Sequence, residues 1–129
     1  VIAHVIGATV LGHFTLDETA FLFLDIGFIW NVYLDGEMGL LPHPVALAEL
    51  QTDDVTKAQL RADVDKLQSG SSEEVSRMTY SDMVSAIESV AFFGHENSRR
   101  LTITCETGSI VVETSLEGAE VNIYERRKI

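Results

Sequence analysis

The sequence predicts an α+β fold: an apolar helical N-terminal part with one long central helix, packed on a C-terminal antiparallel β-meander of three to four strands. Three observations lead there. The stretch from Thr15 to Gly36, TLDETAFLFLDIGFIWNVYLDG, concentrates large apolar side chains and has helix-cap chemistry at both ends. Apolar residues recur at helical spacing along Asp54 to Gln68. Beyond Arg100, apolar and polar residues alternate between short turns, the signature of half-buried strands. With 129 residues the chain fits one domain, helical over about 1–90 and a β-meander over about 90–127.

The central helix is expected from Leu16 to Leu34. Thr15 followed by Glu18 matches a capping box, and Asp17 and Glu18 place negative charge where a helix dipole favours it. Asp35-Gly36 supplies a residue tolerant of positive φ, suited to stopping a helix. A competing reading is two strands broken at Gly27. Ile26, Phe28, Ile29, Trp30, Val32 and Tyr33 are β-branched or aromatic, and Asp35-Gly36 would then be a hairpin turn into Glu37-Met38-Gly39-Leu40. Periodicity cannot decide an all-apolar run, so length and caps favour the helix. A membrane span is disfavoured, because Ala20 to Leu34 is short and interrupted by Asp25 and Asn31.

Val1 to Gly12 reads as a helix packed on the central one, forming an antiparallel helical hairpin. Pro44 suits a first helical position, so Val45 to Leu50 is a short helix. Thr52-Asp53-Asp54 caps the next helix, with Val55, Leu60, Val64 and Leu67 as its apolar stripe and Lys57, Arg61, Asp63, Asp65 and Lys66 on its wet side. Ser69-Gly70-Ser71-Ser72 is too short to separate domains. Tyr80, Met83, Val84, Ile87 and Val90 suggest one more helix, ending before Gly94, although Val90 to Phe93 could instead begin a strand. Leu101/Ile103/Cys105, Ile110/Val112/Thr114 and Val121/Ile123 then mark three strands joined at Thr107-Gly108-Ser109 and Glu117-Gly118.

The formal charge of −11 and pI near 4.6 disfavour nucleic acid and anionic membrane as partners. No lysine or arginine precedes Lys57, and only three of the nine basic residues are lysines, a pattern compatible with a halophilic protein. Cys105 is the only cysteine, so no intramolecular disulfide forms and cytoplasmic localisation is expected. The numbering opens on Val1, so a removed leader remains compatible with the sequence.

Asp25 stands out as a carboxylate inside an apolar run, suited either to acid–base chemistry or to a structural hydrogen bond. The weak catalytic candidates are Asp25, His43, Asp35 and Glu37, with His43 held rigidly between Pro42 and Pro44. His4, His13 and His43 could join those carboxylates around a metal, but no pair has a diagnostic spacing, so neither a metal nor a cofactor is expected. His95 reads as a solvated surface residue, and Cys105 as a buried, inert thiol. No nucleophile elbow or phosphate-binding glycine cluster occurs.

With no convergent catalytic pattern, the expected function is a small, acidic, non-enzymatic protein–protein interaction module. Its partner would be itself, through apolar N-terminal surface contributed by Phe21, Phe23, Phe28, Trp30, Tyr33, Leu40 and Leu41, or another protein. The alternative is a small-molecule or enzymatic pocket around Asp25 and His43. A third idea is an acidic inhibitor covering a basic partner.

Overall fold

The computed structural model describes residues 2–16, 18–35, 37–42, 45–50, 52–70, 75, 77–81 and 85–127. It overturns the expected fold class. The chain is mainly β, with two antiparallel sheets, and the long central helix does not exist. Thr15 to Gly36 instead spans the end of β1 (Val10–Leu16), β2 (Thr19–Leu24) and β3 (Phe28–Tyr33). Gly27 sits in the turn between β2 and β3 with φ +88°, where a side chain would be strained. The two-strand alternative had placed its break there.

The reason lies in the layering. β4 (Met38–Pro42) and β5 (Thr79–Tyr80) complete a five-stranded sheet in the order β4-β3-β2-β1-β5. One face of this sheet, carrying Val10, Ala20, Leu22, Leu24, Trp30 and Val32, packs against the second sheet. The other face, carrying Phe14, Phe21, Phe23 and Ile29, packs beneath two helices, α2 (Val45–Glu49) and α3 (Asp54–Gln68). A strand buried on both sides shows no alternation, so β2 and β3 resemble a buried helix in composition. Gly12 of β1 lies so close under α3 that a Cβ there would meet Leu67 Cδ1 at 2.9 Å.

The N-terminal helical hairpin is also absent. Among the described residues ahead of β1, only α1 (Ile2–Val5) is helical. The helix expected around 80–90 is replaced by β5 and by β6 (Ile87–His95), and Met83 and Val84 lie outside the described residues. β6, β7 (Ser98–Cys105), β8 (Gly108–Ser115) and β9 (Glu120–Arg127) form the second sheet as a meander. Leu101, Ile103, Ile110 and Val112 face the first sheet, so this sheet keeps one wet face and its alternation stays visible.

α2 and α3 occupy the expected positions. Asp53 caps α3 by accepting from the Thr56 amide at 2.7 Å. The faces differ from expectation at two residues: Val55 is exposed, while Asp63 is fully buried. One Asp63 oxygen accepts the amides of Arg77 (2.6 Å) and Met78 (3.0 Å), anchoring the approach to β5. No described helix is long and apolar enough to cross a membrane.

Candidate interaction surface

Two open sheets present four edges, and unpaired edges invite association unless they are blunted. β5 is only two residues long. β4 is short, ends at Pro42 and lies against α2. β9 carries Glu120, Glu125, Arg126 and Arg127 and lies against β1 and β2. Among the described residues, β6 is covered only at its first residue, where Ile87 exchanges backbone hydrogen bonds with Gly7 and Ala8. It spans nine residues, no described strand pairs with its outer side, and Ser89 to Gly94 contains no charged residue.

The β6 side chains are also unusually bare. Phe92 is 42% exposed and Phe93 57% exposed, with Val90 half-buried between the sheets. Phe92 pairs with Leu101 and so points to the sandwich side, whereas Phe93 pairs with Arg100 and points to the wet face. The strand therefore shows an aromatic ring on each side of its free edge. Near its start Glu88 is an extra residue, since the register with β7 shifts between Ile87 and Ser89. Near its end the turn at Glu96-Asn97 leads into β7, with Glu96 at φ 49°.

Beside Phe93, the wet face of the second sheet forms an open cleft of about 560 Å³, lined by His95, Arg100, Glu113 and Asn122 among others. Glu113 Oε1 accepts from Arg100 Nε at 3.1 Å and from the Tyr124 hydroxyl. The hydrogen bond to Glu113 raises the pKa of the Tyr124 phenol above its ordinary value. Arg126 stacks over the Tyr124 ring with its guanidinium carbon 5.3 Å from the centroid. This ladder ties β7, β8 and β9 together at the surface, leaving β6 outside it.

The weak catalytic candidates do not converge. Asp25 lies in the β2–β3 turn, while Asp35 and Glu37 lie in the β3–β4 turn. The six residues of β3 separate the two turns by roughly 20 Å at strand rise. Asp25 Oδ1 accepts from the Thr9 amide at 3.0 Å, and Asp35 Oδ1 accepts from the Glu37 amide at 3.0 Å, so both carboxylates shape local backbone. His43 and the side chain of His4 lie outside what is described. Among the described residues, no three of His, Cys, Asp or Glu gather closely enough to hold a metal ion.

His13 points toward β9, its Nε2 4.0 Å from Glu125 Oε1. The same oxygen accepts from Ser81 Oγ at 2.6 Å. The serine hydroxyl thus donates to the carboxylate and not to the imidazole, and the three groups cross-link β1, β9 and the end of β5. Cys105 is buried and His95 is exposed.

Of the apolar N-terminal residues, Phe21, Phe23 and Trp30 are buried within the chain, whereas Phe28 and Tyr33 are exposed. The bare edge of β6 escaped sequence reading because Val90 to Phe93 fell between an expected helix end and the alternative start of a strand, with no strand order to mark them as an edge. The uncharged run VAFFG ahead of an alternating strand was the available signal. Comparison with known proteins finds no matching family model, no matching curated protein and no matching solved structure.

Proposed function

We propose that this protein is a non-enzymatic interaction module that associates with itself. The observation that supports the reading is β6, a nine-residue edge strand with two exposed phenylalanines and no charge between Ser89 and Gly94. A chain of net charge −11 repels its own copies nearly everywhere, and an uncharged edge is where that repulsion is least. Two of the three candidate carboxylates, Asp25 and Asp35, accept backbone amides at turns. A reducing compartment such as the cytoplasm suits the single thiol, Cys105.

Light scattering across micromolar to millimolar protein tests the reading. A mass that rises to that of a dimer is expected. A strict monomer throughout removes self-association.

A further inference from the structure

Resting on that reading, we propose the geometry of the pair: two copies join β6 to β6, antiparallel, about a two-fold axis at Phe92. Their four-stranded sheets then form one continuous sheet.

The backbone permits this register. The two-residue turn Glu96-Asn97 is closed by the pair His95 and Ser98. Counting back in twos from that pair, His95, Phe93 and Ala91 bond to β7, while Gly94, Phe92 and Val90 turn their N–H and C=O groups outward. A two-fold axis perpendicular to the sheet keeps like faces together, so each outward residue meets another outward residue. With the axis at Phe92, that residue opposes its own copy, and Val90 opposes Gly94 of the second copy.

The side chains match in the same register. On the sandwich side the two Phe92 rings form a cross-strand aromatic pair, and Val90 has the space left by a glycine. On the wet side Phe93 lies opposite Ala91, again large against small. The extra residue of the bulge lets Glu88 and Ser89 together come opposite His95 of the second copy, placing a carboxylate beside an imidazole at each end. The strand is complementary to itself in size and sets a carboxylate beside an imidazole at each end, which is why a second copy is the occupant inferred.

Four variants test the geometry, each checked for an unchanged circular dichroism spectrum. Phe92→Pro removes an N–H that β7 does not use, as edge prolines do, and Phe92→Lys adds an edge charge without altering the backbone. Each is expected to weaken the dimer roughly a hundredfold by sedimentation, through lost hydrogen bonds and the lost aromatic pair. Phe92→Cys places two thiols directly across the axis and is expected to form an intermolecular disulfide under mild oxidation. Phe93→Cys, offset along the strand, is expected to resist cross-linking. A monomeric wild type overturns both the proposal and the reading beneath it. A dimer indifferent to Phe92→Pro and Phe92→Lys, or cross-linking equally from either cysteine, leaves self-association standing and overturns the β6 pairing.

Discussion

Thr9 and Asp25 bind each other twice. The Thr9 amide donates to Asp25 Oδ1 at 3.0 Å, and the Asp25 amide donates to the Thr9 carbonyl at 2.9 Å. Just before Thr9, the Gly7 amide donates to the Ile87 carbonyl and the Ile87 amide donates to the Ala8 carbonyl. Residues 7–9 thus stitch the start of β6 to the end of β2, joining the two sheets. Asp25, the most conspicuous residue of the apolar run, holds a seam.

Asp25→Ala is expected to destabilise the fold by about 1 kcal/mol, the worth of one hydrogen bond at an exposed site. Asp25→Asn, which retains an acceptor oxygen, should cost less. Urea unfolding followed by the fluorescence of Trp30, the single tryptophan and one fully buried between the sheets, measures both. Neither substitution should change the association state.

Asp63→Ala should be far more damaging, by about 3 kcal/mol. It strands two backbone amides that one buried carboxylate oxygen now accepts. The same urea titration, comparing Asp63→Ala with Arg61→Ala on the exposed side of α3, separates this effect from a loss of helix propensity.

Acid should weaken the fold in two steps. Burial holds the His13 imidazole below its ordinary 6.5, against a smaller opposing effect of Glu125. The folded state therefore favours the neutral ring. That contribution is complete above 6.5 and is lost as pH falls from there through the lower folded value. Asp53 is held below its ordinary 3.8 chiefly by hydrogen bonds from Thr56. Its contribution is present above 3.8 and disappears as pH falls through its folded value. Melting temperature against pH should show both declines, and His13→Gln should erase only the one nearer neutrality.

Cys105 should be chemically silent in the folded protein. Burial pushes its thiol above the ordinary 9.0, with Glu125 and Glu88 adding to the shift. An aromatic disulfide reagent is expected to react roughly a hundredfold more slowly than with the urea-unfolded chain. Equal rates in the two states would contradict the packing of β7 against the first sheet.

How much of this was legible in the sequence depends on how many faces each element buries. β7, β8 and β9 have one wet face, so Thr102 and Glu113 interrupt the apolar residues in register and the strands could be located. β2 and β3 are covered by helices on one side and by a sheet on the other. Phe21 and Phe23 therefore look no different in sequence from Leu22 and Leu24, although they serve opposite layers. Asp63 was misplaced because its partners, Arg77 and Met78, lie a full loop away and helical spacing says nothing of them. The site was least legible of all. An edge becomes an edge only through the order of strands, and nothing local to Val90 or Phe93 states that no described strand lies beyond them.

The seam at residues 7–9 has a consequence for how the chain is made. Its partner Ile87 is translated some eighty residues later, and the second sheet, which covers Leu22 and Trp30, follows still later. The first sheet can form beneath its helices on the ribosome, but one side of it must wait, bare, until the second sheet has emerged. Folding dominated by such distant pairings is slow. A nascent chain stalled before Ile87 should therefore be a client for chaperones that hold exposed apolar surface.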